Sequence, residues 1–213
     1  AHFPGNVNKI RRDGIELNRA ENSERTMHVE NGVGLKLTQK TNYPWDGIIE
    51  VTVTPAQPSN FIFYLRSPGW ADRAQVAVNG KAVTGAKAGE YLAISRQWAA
   101  DDVIHLQMEM PVQVLQANPE VADDAGRVAV QRGPLVYCME ELDQPAGITM
   151  SDLAVSLGQK AQAQFQSEMK SDLLGGVVVL RHTGVAYERA AARQALYSRY
   201  RGGPAKSRRA KLT

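Results

Sequence analysis

Ile49-Glu50-Val51-Thr52-Val53-Thr54 decides the fold class, because apolar Ile49, Val51 and Val53 alternate with polar Glu50, Thr52 and Thr54. Successive side chains of a strand point to opposite faces, so a period of two sets one face on a core and the other in water. The signature spreads in both directions. Upstream, Gly34-Leu35-Lys36-Leu37-Thr38-Gln39 alternates in the same way. Downstream, Phe61-Ile62-Phe63-Tyr64-Leu65-Arg66 places Phe61, Phe63 and Leu65 on the core side. Gln75 to Val78 then runs into Asn79-Gly80, and Lys81 to Val83 returns. Asn-Gly suits a type I′ hairpin, since both positions tolerate positive φ. Tyr91 to Ile94 and Val103 to Met110 continue the pattern, the latter with Ile104, Leu106, Met108 and Met110 on one face. Arg127 to Gln131 and Leu135 to Cys138 flank Gly133-Pro134. Proline lacks a ladder donor, so that break predicts a bulge, kink or crossover.

About eight short strands with frequent turn signals predict an antiparallel β-sandwich, jelly-roll-like in outline. After Glu140 the texture changes. Asp143-Gln144-Pro145-Ala146-Gly147 reads as a linker, and Leu153 to Leu157, Ala161 to Phe165 and Val177 to Leu180 read as strands of a smaller second sandwich. Arg189 to Tyr200 is alanine- and arginine-rich and suits a helix. Lys211-Leu212-Thr213 reads as the start of another strand, which leaves the second sheet incomplete and suggests that the natural polypeptide continues. The predicted organisation is all-β: an irregular lead-in or linker over 1–27, a first sandwich over 28–142, and a second, truncated sandwich over 143–213.

The 213 residues are 43% hydrophobic and 22% charged, ordinary values for a folded domain pair. No apolar run approaches the roughly 20 residues that span a bilayer, which argues against a membrane partner. The start shows no basic stretch followed by an apolar one, so no secretory signal is read there. The compartment stays open, with a bacterial cytoplasm favoured. The net charge of +3 hides an asymmetry. From Arg181 onward nine basic residues face one acid, Glu188, and the first 180 residues carry a net −5. A basic tail with Tyr187, Tyr197 and Tyr200 offers charge and stacking to nucleic acid, but no recognition motif accompanies it and a solvated end is favoured.

A family resemblance rests on motifs that occur in order. They are Thr41-Asn42-Tyr43-Pro44-Trp45-Asp46-Gly47, Tyr64-Leu65-Arg66-Ser67-Pro68-Gly69-Trp70, Val78-Asn79-Gly80 and Gly89-Glu90-Tyr91-Leu92-Ala93-Ile94-Ser95-Arg96-Gln97-Trp98. Asp102, Met110-Pro111-Val112 and Val130 to Glu140 follow. Together they resemble the region C-terminal to the catalytic domain in bacterial β-L-arabinofuranosidases, glycoside hydrolase family 127. The resemblance implies an (α/α)-barrel partner that carries the chemistry, with a zinc-bound cysteine as nucleophile and a glutamate as acid/base. It implies hydrolysis of terminal β-L-arabinofuranosyl residues with retention, on plant-derived arabinose-containing glycans, and a homodimer as one use of the sandwiches. Nothing in this chain matches the motifs of the barrel, so zinc is implied only for that missing domain.

The residues read one by one agree. Cys138 is the sole cysteine, which excludes an internal disulfide and a multi-cysteine metal shell. Its setting in Leu135-Val136-Tyr137-Cys138-Met139 predicts a buried structural thiol. His2, His28, His105 and His182 form no short ligand pair. Asp101-Asp102, Asp123-Asp124 and Glu140-Glu141 are adjacent, and strand neighbours point apart, so none is assigned as a catalytic pair. A carbohydrate contact falls on Tyr43, Trp45, Asp46 and Trp70, since a flat ring can carry a sugar and a carboxylate can accept its hydroxyls. Packing of these aromatics against a core or a neighbouring domain is the favoured reading. Two further functions are weighed: a free-standing carbohydrate-binding module, and a nucleic-acid adaptor working through the tail.

Overall fold

The structure is a computed structural model that describes residues 8–29, 32–144, 146–155, 164–187 and 207–212. The chain divides into two compact units. The first comprises Ala1–Pro111 with Gly133–Leu135, and the second Val112–Arg132 with Val136–Thr213.

The first unit is a two-sheet sandwich. Its strands are β1 (Asn8–Arg11), β2 (Gly14–Leu17), β3 (Ser23–His28), β4 (Gly34–Thr41) and β5 (Ile48–Pro55). They continue with β6 (Ser59–Arg66), β7 (Ala74–Val78), β8 (Lys81–Val83), β9 (Tyr91–Trp98) and β10 (Asp102–Met108). One sheet has the order β1-β2-β6-β9 and the other β3-β4-β5-β10-β7-β8. The alternation read in the sequence is the burial pattern: Val51, Val53, Phe63, Leu65, Ile104 and Leu106 all lie in one core cluster. Each such side chain contributes roughly 1.5–3 kcal/mol by leaving water. The Asn79-Gly80 turn joins β7 to β8 with Val78 opposite Lys81 and φ of 50° and 75° at the two turn residues.

Two expectations are corrected here. The described part of 1–27 is not an irregular lead-in, because Asn8 to His28 supplies β1, β2 and β3. Every residue of β2 is buried, so it shows no alternation to read. Its pairing is also non-local: β2 runs parallel to β6, with Ile15 opposite Phe63, while the other paired strands of this unit are antiparallel. The division between units also lies at Pro111/Val112 rather than at 142/143.

Asp102 ties two hairpins together. It is 6% exposed, its Oδ2 accepts the Ala99 amide at 2.8 Å, and its Oδ1 accepts Asn79 Nδ2 at 2.6 Å. Asn79 Oδ1 in turn accepts the Val103 amide at 2.9 Å. Asp102→Ala leaves the Ala99 amide and Asn79 Nδ2 without this acceptor, and a loss of about 1–2 kcal/mol is expected in urea unfolding. An unchanged midpoint would show that these bonds stabilise nothing.

The second unit contains β11 (Val112–Gln116), β12 (Val128–Arg132) and β13 (Leu135–Tyr137) as one three-stranded sheet. In it β11 pairs antiparallel with β12, and Leu135 itself counts with the first unit. A further sheet is built on the long strand β16 (Val177–Tyr187), which pairs with β14 (Leu153–Ala154), β15 (Gln166–Lys170) and β17 (Ser207–Leu212). The strand foreseen at Ala161 to Phe165 lies partly outside the described residues, and β15 begins just after it at Gln166. The helix foreseen over 189–200 lies outside them. The strand foreseen at the C-terminus is β17, so part of the basic tail is a sheet strand.

His182 on β16 is 4% exposed, has no hydrogen-bond partner on either ring nitrogen among the described residues, and packs on Phe165 with centroids 4.3 Å apart. Burial pushes its pKa below the usual histidine value. The unfolded chain therefore takes up the proton first as pH falls. Stability from this residue is complete above about pH 6.5 and drains away below it, by at most about 1.4 kcal/mol per pH unit. His182→Leu removes the effect. Thermal melts from neutral to mildly acidic pH should show the variant losing less Tm than the parent; parallel losses would contradict this.

Candidate functional site

The β4–β5 connection carries three of the four residues singled out for carbohydrate. Thr41 organises it: its Oγ1 donates to the Ile48 carbonyl at 2.6 Å and accepts the Tyr43 amide at 3.0 Å. The Trp45 amide donates to the Asn42 carbonyl at 2.9 Å, and Asp46 Oδ1 accepts the Ile48 amide at 3.0 Å. Asp46 thus spends an oxygen on the turn. Gly47 is required for closeness rather than for turning, since a Cβ there would press into the Met108 carbonyl. Tyr43 stacks on Trp70, with centroids 6.4 Å apart and planes 19° apart, and both pack partly buried against the core. Burial raises the Tyr43 pKa. The structure brings Tyr43 and Trp70 together and leaves Trp45 half-buried in the turn.

Tyr43 also lines a cleft of about 400 Å³ in the first unit, with Asn18, Arg19, Leu65, Arg66 and Met108 among its walls. The cleft meets a polar cluster on the outward face of the β1-β2-β6-β9 sheet. Arg11 Nη2 is 2.8 Å from Glu16 Oε1, and its guanidinium lies 4.4 Å above the Tyr64 ring and 5.6 Å from that of Tyr91. The Arg11 hydrogen bond holds Glu16 below the usual carboxylate range. Tyr64 donates to Asp13 Oδ2 at 2.6 Å, Tyr91 donates to Asn18 Oδ1 at 2.5 Å, and Arg66 lies 5.5 Å above Tyr91. No local pattern marks this cluster as a unit, because its members come from four strands, two of them short, and from the connections beside them.

Nucleophile and metal candidates fare differently. Cys138 is exposed, not buried as expected, because it falls one residue beyond the end of β13. Among the described residues no three His, Cys, Asp or Glu side chains converge as a metal site. The buried carboxylates Glu16 and Asp102 are each committed to donors already described, and the third, Asp152, accepts the Thr149 amide at 2.9 Å and the Thr149 hydroxyl at 2.7 Å. Glycoside hydrolysis asks for two carboxyl groups, or one with another nucleophile, on either side of a bond. Asp123, Asp124, Glu140 and Glu141 are exposed on short helical turns or next to them.

Sequence comparison matches residues 14–110 to "Beta-L-arabinofuranosidase, GH127 middle domain" and residues 112–195 to "Glycoside hydrolase family 127 C-terminal domain". The chain belongs to glycoside hydrolase family 127. The boundary between the family 127 domains coincides with that between the two compact units. A non-reducing end β-L-arabinofuranosidase of Bifidobacterium longum subsp. longum is 40% identical over 149 residues, which is 68% of this chain and 22% of that protein. The crystal structure of a GH127 β-L-arabinofuranosidase from Geobacillus stearothermophilus T6 superimposes with a TM-score of 0.84 at 32% identity, over 97% of this chain and 32% of that one. A GH127 β-arabinofuranosidase structure gives 0.81 at 28% identity, over 98% and 33%. This family 127 chain therefore spans about a fifth of the curated relative and a third of the solved ones.

Proposed function

We propose that this chain is the non-catalytic scaffold of a retaining β-L-arabinofuranosidase. In this reading it buttresses an upstream (α/α)-barrel that cleaves terminal β-L-arabinofuranosyl residues from plant-derived glycans, and it supplies a contact for a homodimer. The observation that carries the reading is the tiling of residues 14–110 and 112–195 by the middle and C-terminal domains of one hydrolase family. The commitment of the buried carboxylates to structural bonds supports it further. A zinc–cysteine centre does not fit these residues: the chain has one cysteine, and it stands alone and exposed. The zinc is assigned to the barrel, and no step is routed through it here. Co-expression tests the scaffold role. The barrel should be recovered soluble with this chain and aggregate without it, and equal recovery would contradict the reading.

A second reading places a glycan beside Tyr43, and the cleft is what favours it. Trp45, Asp46 and Trp70 then serve as neighbours of the sugar. Titration calorimetry with arabino-oligosaccharides decides it: saturable heat that disappears in Tyr43→Ala supports a glycan seat, and no heat removes it. The nucleic-acid adaptor is not carried forward, since part of the tail is the sheet strand β17.

A further inference from the structure

We propose that the outward face of the β1-β2-β6-β9 sheet docks a carboxylate-bearing surface of the domain that precedes the middle domain in family 127 polypeptides. The inference rests on the scaffold reading and says where its contact is made. Ile15, Leu17, Phe63 and Leu65 face the core, so Glu16, Tyr64 and Arg66 point the other way. Register sets them side by side, with Glu16 opposite Tyr64 and Arg66 opposite Tyr91. Such a face is ordinarily wet, yet Glu16 is only 6% exposed, roofed by its neighbours.

Arg11 is held by Glu16 and stacked between two tyrosines, and Arg66 is stacked on Tyr91 with no carboxylate partner among the described residues. Contact with the tyrosine rings restrains each guanidinium, and a guanidinium carries several N–H donors of the kind that carboxylates accept. Because the array is already ordered, association loses little further side-chain entropy. Arginine and tyrosine are also residue types over-represented at binding hot spots. Lys9, Arg11 and Arg66 outnumber Glu16 and Asp13 at this face, so the complementary surface is acidic.

Two observations choose the occupant. The middle-domain match begins at residue 14, on β2 of this same sheet, so whatever precedes that domain joins it here. The solved relatives are about three times longer than this chain. A buttress could instead dock through an apolar patch, but the described residues of this unit form none. Its exposed large apolar residues among those described are Ile10 and Ile48, on different sheets.

The test co-expresses the whole 213-residue chain with its probe, the portion of the Bifidobacterium longum relative that lies ahead of its middle domain, and measures how much of the probe is retained as a complex on the tagged chain. Binding that weakens as salt rises is expected. Arg66→Glu and Arg11→Gln should each weaken it by about tenfold or more. Arg73→Glu, an exposed side chain near Glu109 at the other sheet, should leave it unchanged. Circular dichroism confirms that each variant is folded, and Arg66→Glu carries the test should Arg11→Gln fail to fold. Binding that ignores both substitutions overturns the proposal and leaves the scaffold reading standing. A wild-type chain that does not bind the probe overturns both. Oligogalacturonate binding that is lost in Arg66→Glu would make this face a glycan site and likewise overturn the proposal.

Discussion

Trp98→Ala is expected to unfold the first unit under conditions where the parent is stable. Trp98 is fully buried, its ring lies 5.7 Å from Phe61 and 5.8 Å from Phe63, and its indole N–H donates to the Phe61 carbonyl at 3.1 Å. Truncation opens a large cavity where two aromatic contacts and one buried hydrogen bond were made. Core tryptophan-to-alanine changes cost about 3–5 kcal/mol. Domains of this size hold only about 5–15 kcal/mol in total, so most of the margin goes. Trp98→Phe keeps much of the volume and loses the N–H, and should fall between the two. Urea unfolding monitored by far-ultraviolet circular dichroism gives the order parent, Phe, Ala. A variant with Ala at 98 and the parent's midpoint would mean that Trp98 is not a keystone of this core.

Gly47→Ala is the second large effect, and its cause is steric. The Gly47 carbonyl accepts the Met108 amide at 2.9 Å, which draws the end of β10 against the turn. An added Cβ would overlap the Met108 carbonyl, and backbone cannot swing aside as a side-chain tip can. A loss on the order of 2–4 kcal/mol is expected, in line with overpacking that has no route of relief. Gly69→Ala is the matched control, because nothing lies within 4 Å of its added Cβ. It should be neutral. Similar midpoints for both alanine variants would contradict the close approach.

Strands β4 to β7, β9 and β10 were legible in the sequence because each buries one face, so chemistry and geometry share a period of two. The turn at Asn79-Gly80 was legible because few dipeptides accept positive φ twice in succession. The strands β1 to β3 were not. Gly14 to Leu17 is buried on both faces, which erases alternation, and β3 is an edge strand whose residues are mostly exposed. The parallel β2–β6 pair leaves no local trace at all. The unit boundary was misplaced for a related reason: Gly133–Leu135 count with the first unit although the residues on either side do not. The family motifs of the site were readable, and Tyr43 and Trp70 do meet. The Arg11–Glu16–Tyr91 cluster was not, because it exists only after four strands are laid side by side.

In the proposed scaffold role this polypeptide holds and positions a hydrolase without breaking bonds itself. Release of chromophore from a nitrophenyl β-L-arabinofuranoside is the decisive assay. The purified chain should be indistinguishable from buffer, and a polypeptide that joins the upstream barrel to it should turn substrate over. Turnover by the purified chain alone, retained through further purification, would contradict the account.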